Sequence, residues 1–181
     1  MTTTAVSIFE RPAADEHAEY YARYINLVPD GDLLEFLDGQ TEDTAVFLRG
    51  IPAERHDHRY AEGKWSIKEM IGHISDAERI FAYRALRFSR GDATPLASFD
   101  ENAYVENARF AEQRYEQLVD EWLAVRRATL ALLRSMNADE AVRRGTASGW
   151  EVSVRALAWI IAGHVVHHAS ILHERYLQGA E

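Results

Sequence analysis

The sequence predicts an all-α protein in which four long helices pack as a bundle. Apolar residues recur at three- and four-residue steps over four separate segments, which is the period of an amphipathic helix. No segment shows the sustained alternation of apolar and polar residues that is typical of a half-buried strand. Two connections between the helices are too long for simple hairpins, so we expect crossover connections within the bundle.

We divide the chain into an N-terminal arm, residues 1–29, and a bundle domain, residues 30–178. Residues 1–13 are predicted to be mobile or loosely packed. A short helix is predicted over residues 15–27, and it ends before Pro29, which cannot donate a backbone hydrogen bond.

Local signals mark the starts of the first two bundle helices. Asp30 or Asp32 can cap the first, which Gly50 closes. Ser66 and Glu69 have the spacing of a capping box and predict the start of the second.

The second half of the chain supplies the other two bundle helices. Residues 91–105 are predicted to be a crossover loop, and residues 106–136 a helix with a heptad-like apolar seam. Residues 137–151 form a second long connection. The fourth helix begins near residue 152 or 153 and ends near residue 177.

Composition excludes several classes of function. The chain has 181 residues, a net charge of −9 and no cysteine, so any metal site must use His, Asp or Glu. An acidic chain repels phosphate backbones, and we expect neither nucleic-acid nor membrane binding. No signal peptide or membrane span is evident, which predicts a cytoplasmic protein. The sequence contains no HExxH, Glu-x-x-His, phosphate-loop or nucleophile-elbow motif.

His164 and His168 are the most informative residues. They lie one helical turn apart, at the centre of the buried face of the predicted fourth helix. Each imidazole carries one hydrogen-bond donor and one acceptor, and both need partners when the ring is buried. A metal ion would bind the acceptor nitrogen of both rings. Outside the fourth helix, His73 is the only histidine that lies well inside a predicted long helix. Together the three predict a tripod for Zn²⁺ or a similar ion, with positions open for water or substrate.

Other interpretations of the histidines stay open. A single histidine on an apolar face is more often a hydrogen-bonded core residue than a ligand. Four of the remaining histidines are interpreted as surface residues: His17, His56, His58 and His173. The loop segment His56-Asp57-His58 could bind a metal only adventitiously.

Three residues are weaker candidates for orienting an imidazole or transferring a proton. Glu69 lies one turn before His73, Asp76 lies three residues after it, and His167 lies on the flank of the fourth helix. The structural interpretation is favoured for both carboxylates: Glu69 is already explained by the capping box, and Asp76 is consistent with a solvated helix charge.

The segments YAEGKWSIKEMIGHISDAERIFAYRALRFSRGDATPLASFDENAY and IIAGHVVHHASIL resemble the DinB/YfiT-like metalloenzyme family. The resemblance covers residues 30–178 and rests on GKWS before the first helical histidine, on FDENAY and on the GHxxHH cluster. It implies an up-down-down-up four-helix bundle, often a homodimer. It also implies a divalent ion held by His73, His164 and His168: nickel or zinc in relatives, with manganese or iron as alternatives.

The resemblance implies a specific metal site, but it defines the reaction less well. Characterised relatives include thiol S-transferases and a maleylpyruvate isomerase that use bacillithiol or mycothiol, which implies a small thiol cosubstrate. Our first hypothesis is therefore a metal-dependent thiol transferase that acts on a small molecule. Metal-dependent hydrolysis and a non-catalytic stress-related bundle are the alternatives.

Overall fold

Seven α-helices and one β-hairpin make up the described part of the chain, residues 7–178 of a computed structural model. The helices are α1 Glu19–Ile25, α2 Leu33–Arg49, α3 Ile67–Ser89, α4 Glu101–Ala108, α5 Tyr115–Arg134, α6 Ala138–Ala141 and α7 Val154–Ile171. The strands are β1 Arg144–Ala147 and β2 Trp150–Ser153. Three short 3₁₀ turns, Ala14–Glu16, Ala53–Arg55 and Phe110–Glu112, and a π-helical turn, Leu172–Leu177, complete the secondary structure.

The four long helices α2, α3, α5 and α7 form the predicted bundle. Helix α3 packs extensively against both α5 and α7, while α2 packs against α5 and, less closely, against α7. The structure thus confirms the all-α prediction and the up-down-down-up topology. Because α3 lies between α5 and α7, it holds residues of its buried face close to the centre of α7.

The predicted starts of α2, α3 and α7 are confirmed by their caps. The Asp32 side chain accepts hydrogen bonds from the first turn of α2. Ser66 and Glu69 form the reciprocal capping box of α3. Ser153 caps α7 by accepting a hydrogen bond from the backbone N–H of Ala156. Each cap is a local interaction, which is why sequence spacing predicts it well.

The prediction of one continuous helix over residues 106–136 is wrong. Helix α4 begins earlier, within the predicted loop, and ends at Ala108, because the next residue, Arg109, has a φ of 53° in the left-handed region. The chain then turns so that the Phe110 ring packs against Gly72 of α3, where an added Cβ would lie 2.5 Å from the ring. Helix α5 starts only at Tyr115. Burial of Phe110 therefore overrides the helical pattern of the sequence.

The expectation that no segment forms a strand is also wrong, on a small scale. Strands β1 and β2 pair antiparallel, with Ala147 opposite Trp150. Ser148 and Gly149 form the two-residue turn with φ of 55° and 82°. Two positive φ angles are typical of a tight hairpin turn, and the Ser-Gly pair is its sequence signal.

The N-terminal arm is packed rather than loose where the structure describes it. Residues 1–6 lie outside the described residues, but Phe9 is fully buried and its carbonyl accepts a hydrogen bond from Trp159 of α7. Helix α1 lies along α7, and Gly163 permits this contact, because a Cβ there would overlap the carbonyl group of Tyr24. The predicted helix over residues 15–27 is interrupted at His17, which is extended.

A buried ion pair connects the bundle helices. Arg126 of α5 donates to both carboxylate oxygens of Glu78 on α3, at 2.7 and 2.9 Å, and to the side-chain oxygen of Gln40 on α2. Gln40 in turn donates to the carbonyl of Ala162 on α7. Arg126 and Glu78 are almost completely buried. The network therefore fixes the register of all four bundle helices relative to one another.

The segment Val154–Leu177 is long and apolar enough to cross a membrane if length and composition alone are considered. Two thirds of its most apolar window (67%) is buried inside the bundle. Its hydropathy is therefore explained by its position as the core helix.

Candidate metal centre

Three histidine side chains from α3 and α7 converge at one point. Nε2 of His164 lies 3.2 Å from Nε2 of His73 and 3.1 Å from Nε2 of His168. All three possible ligand atoms lie within 4.8 Å of one another. The helical turn between His164 and His168 brings their rings to 4.4 Å in an edge-to-face arrangement, and the packing of α3 on α7 places His73 beside them. The structure thus brings together the three residues that the sequence predicts as ligands.

The three imidazoles are buried and neutral. His73, His164 and His168 are 3%, 5% and 7% exposed. Burial, together with the nearby His167, lowers the pKa of His73 to about 4. Burial and the neighbouring histidines hold the pKa values of His164 and His168 well below their usual range. Neutral imidazoles keep a free lone pair, which metal coordination requires.

The spacing of the three nitrogens fits a metal ion better than hydrogen bonding. A neutral imidazole carries one N–H and one acceptor lone pair, so Nε2 of His164 cannot accept good hydrogen bonds from both neighbours. Nitrogen ligands at about 2.0–2.1 Å from one ion, at angles of about 90–110°, lie roughly 2.9–3.4 Å apart. The two observed separations fall in this interval. The donor set therefore suits a divalent ion such as zinc.

One feature departs from the usual pattern of ligating histidines. Nδ1 of His168 is buried and, among residues 7–178, has no hydrogen-bond partner. A metal-bound histidine ordinarily donates this N–H to a carboxylate or carbonyl. The orientation of the His168 ring therefore depends on packing against the rings of His164, His73 and His167, at 4.4, 4.9 and 5.1 Å.

The family model of the DinB superfamily matches residues 37–172, which is most of the chain and includes all three histidines. The chain belongs to the DinB superfamily. The resemblance predicted from the GKWS, FDENAY and GHxxHH segments is thereby confirmed.

A solved structure shows the same fold. YfiT from Bacillus subtilis, described as a probable metal-dependent hydrolase with an unusual four-helix bundle topology, superposes with a TM-score of 0.67. The similarity covers 91% of each chain at 15% sequence identity, so it establishes the fold alone. Among curated proteins, none matches this DinB-superfamily chain significantly.

Both carboxylates near His73 bind other groups. Glu69 accepts hydrogen bonds from the backbone N–H of Ser66 at 2.6 Å and from Arg59 at 2.8 Å. Asp76 pairs with Arg79 at 3.2 Å, and burial raises its pKa. Within the described part of this DinB-superfamily protein, neither carboxylate makes a hydrogen bond to an imidazole. Their geometry favours structural roles over proton transfer.

His167 lies beside the cluster but is only partly buried. Its ring centroid is 5.3 Å from that of Tyr24. Burial and the charges of Arg23 and Arg175 lower the pKa of His167. It is the one weaker candidate that remains next to the three imidazoles.

The other four histidines lie away from the cluster, and three of them are less exposed than the sequence predicts. His173 is exposed, whereas His17 and His58 are partly buried. His56 stacks on the ring of Tyr115 at 3.5 Å and contacts the carbonyl of Ile51. It is therefore a packed loop residue rather than a simple surface histidine.

Aromatic side chains that the sequence analysis missed surround the imidazoles. The Trp65 ring lies 4.7 Å from His73, and the Tyr24 and Phe81 rings lie 5.3 and 6.0 Å from His164. Trp65 precedes the cap of α3, so its place beside the ligand on that helix could have been suspected. Tyr24 belongs to the arm, and no sequence signal indicates its contact with α7.

Two cavities reach the histidines from different directions. A cavity of 130 Å³ is lined by His73, His164, Phe81, Glu101 and several tyrosines. A cavity of 230 Å³ is lined by His168 and by Lys64, Trp65, Asn102 and other residues. The three imidazoles are therefore buried but still accessible to small molecules. The largest cavity of this DinB-superfamily protein, between α2 and α7, contains none of the three.

Proposed function

We propose that this protein is a metal-dependent enzyme that acts on small molecules, with its ion held by His73, His164 and His168. The observation that carries the proposal is the convergence of three neutral Nε2 atoms within 4.8 Å. When bound, a divalent ion with an open position acts as a Lewis acid that lowers the pKa of a thiol or a water. The members of the tripod hold the ion, and the surrounding rings limit the entry of bulk water.

Access to the site supports a catalytic role over a structural one. A structural ion is fully enclosed by protein ligands, whereas a catalytic ion keeps a position for an exchangeable guest. His73 and His164 line one cavity and His168 lines the other. A purely structural site would need neither cavity.

Thiol transfer is the reaction that we favour. A transferase must hold two reactants, and the two cavities leave room for one on each side of the imidazoles. In such a transfer the thiol sulfur forms a bond to an electrophilic carbon, the leaving group departs with its electron pair, and the thiol proton passes to solvent. Lining residues such as Trp65 and Tyr24 would position the two partners.

Hydrolysis is the second candidate, because the similar YfiT structure is described as a probable metal-dependent hydrolase. Here a single cavity would hold the substrate, and water would be the second reactant. Zinc and nickel remain the expected ions. The homodimer and the cytoplasmic location also remain predictions.

The two reactions can be separated by supplying or withholding a thiol. Zinc- or nickel-loaded protein is incubated with a panel of low-molecular-weight thiols and a chromogenic electrophile, and separately with activated esters and amides without thiol. Metal-dependent conjugation that disappears in His168→Ala supports transfer. Thiol-independent turnover supports hydrolysis. Absence of both activities in protein that carries metal would contradict the proposal of an enzyme.

A further inference from the structure

We propose that the 230 Å³ cavity beside His168 binds the carboxylate group of a small substrate, with Lys64 as its charged partner. The binding site itself rests on the cavity and its lining residues. Only the statement that the bound molecule is a substrate rests on the proposed function. Neither the family match nor the similar structure assigns a role to this lysine.

Two polar residues that line the cavity, Lys64 and Asn102, are exposed, so their side chains can bind a ligand from solvent. Within residues 7–178, Lys64 forms no ion pair and the side chain of Asn102 makes no hydrogen bond, yet both line the cavity. Lys68, the other lysine of the chain, contrasts with Lys64. Its ammonium lies 3.1 Å from a carboxylate oxygen of Asp57 and donates to the carbonyl of Ala111. Of the two lysines, only Lys64 is available for an external anion.

The rest of the cavity is apolar and carries no negative charge. Its walls are formed mainly by aromatic and aliphatic side chains: Tyr60, Trp65, Met70, Ile171 and Tyr176. None of the lining residues is acidic, although the chain carries a net charge of −9. The smaller cavity on the other side of the imidazoles, by contrast, is lined by Glu101. An anionic group is therefore favoured on the Lys64 side of the site.

One neighbouring arginine, Arg175, strengthens this preference. The guanidinium group of Arg175 lies 5.6 Å from the centre of the Tyr60 ring and donates to its hydroxyl. Arg59 donates to the carbonyl of Lys64 at 2.6 Å, which fixes the backbone that carries the lysine. The charge of Arg59 is compensated by Glu69, whereas Lys64 has no such partner.

The arrangement defines a class of ligand. An apolar body fits between the Trp65, Tyr60 and Tyr176 rings, a carboxylate binds Lys64 and Asn102, and the opposite end of the molecule approaches His168. The volume of 230 Å³ restricts the ligand to a small carboxylic acid, such as a carboxylate-bearing thiol or electrophile.

Phenylacetate and the uncharged isostere phenylacetamide test this inference without any turnover. Their dissociation constants are measured by calorimetry on the full chain, before and after metal loading. We expect wild type to bind phenylacetate roughly tenfold more tightly than the amide, which is the usual worth of one charge-assisted hydrogen bond. Lys64→Met should remove this preference and leave amide binding unchanged. Lys64→Arg and the control Lys68→Met should retain it.

The design separates failure of this inference from failure of the proposed function. If Lys64→Met binds phenylacetate as wild type does, or if wild type does not discriminate between the probes, the carboxylate site is overturned. Charge discrimination that depends on Lys64 in protein without metal supports the site even if the three histidines bind no ion. Metal binding by a protein that does not discriminate between phenylacetate and phenylacetamide supports the histidine tripod and rejects the carboxylate site.

Discussion

Glu69 lies one helical turn before His73, but its carboxylate oxygens bind Arg59 and the backbone N–H of Ser66. Burial by itself raises the pKa of Glu69, and the hydrogen bond from Arg59 is the main factor that lowers it below the ordinary value. A carboxylate held ionised by two donors is a poor proton acceptor. At the scale of the residue, these contacts indicate that Glu69 stabilises the start of α3 and does not transfer a proton.

Glu69→Ala should lower stability without affecting metal content. Loss of half a capping box costs about 1 kcal/mol, or roughly 2–4 °C in melting temperature for a chain of this size. Thermal unfolding and elemental analysis of the same sample measure both effects. The control Glu62→Ala removes an exposed carboxylate from the preceding loop and should change neither. A loss of metal in Glu69→Ala alone would show that Glu69 supports a ligand.

The sequence predicts the ligands better than their surroundings. The spacing of His164 and His168 on one helical face is a local property, so periodicity is enough to find it. The partners of Trp65 and Tyr24 depend on how α1 and α3 pack against α7. Such contacts join residues that are distant in sequence, and a single sequence carries no direct record of them.

At the scale of the element, the packed helices α1 and α7 meet at Gly163. The contact places Tyr24 beside His164 and His167, and it depends on the missing side chain of the glycine. A substitution of Gly163 would push the arm away from the bundle, although it replaces none of the three histidines.

Gly163→Ala should destabilise the protein by about 1–3 kcal/mol, because the new methyl group overlaps backbone atoms that cannot rotate away. Gly39→Ala in α2 is the matched control, since a Cβ there meets nothing within 4 Å. This variant should be more stable by about 0.5–1 kcal/mol, as expected for alanine in a helix interior. Urea unfolding measures both changes. Equal stabilities of the two variants would contradict the packing of α1 against α7.

The starts of α2, α3 and α7 were predictable, whereas the break between α4 and α5 and the β-hairpin were not. Asp32, Ser66 and Ser153 cap helices through contacts within three residues. The end of α4 instead requires Arg109 in a left-handed conformation, which burial of Phe110 stabilises from outside the helix. The hairpin is short, and its Ser-Gly turn was the only local signal of it.

At the scale of the whole molecule, the Glu78–Arg126 pair connects helices that are far apart in sequence. Glu78→Gln should cost about 3–5 kcal/mol, because it leaves the Arg126 guanidinium buried without its counterion. Asp120→Asn, in an exposed pair with Arg49, should cost less than about 1 kcal/mol. Replacing Glu78 and Arg126 together by Leu and Met should cost less than Glu78→Gln alone. Chemical denaturation compares the variants, and a cost for Glu78→Gln as small as that for Asp120→Asn would argue against a buried pair.

Stability should also fall in acid through Glu16, which anchors the arm to Arg155 of α7. Burial alone raises the pKa of Glu16, but hydrogen bonds from Arg155 and the backbone N–H of Ala13 outweigh it and lower the pKa from 4.5 to about 2. Because the pKa of Glu16 is lower in the folded protein than in the unfolded chain, its contribution to the free energy of unfolding is complete above pH 4.5. This contribution is lost as the pH falls towards 2. Unfolding measured across this range should show a weaker pH dependence in Glu16→Gln than in wild type. Parallel curves would show that Glu16 is not anchored in this way.

The metal content of histidine variants decides whether His73, His164 and His168 hold an ion together. Elemental analysis measures the metal content of tag-free protein from unsupplemented medium, for wild type and for three variants: His73→Ala, His164→Ala and His168→Ala. His58→Ala is the control, because His58 packs near Tyr176 outside the cluster. We predict about one divalent ion per chain in wild type and in His58→Ala, with a sharp loss in each of the three cluster variants. Equal metal content in His58→Ala and His168→Ala would contradict the assignment of the metal centre.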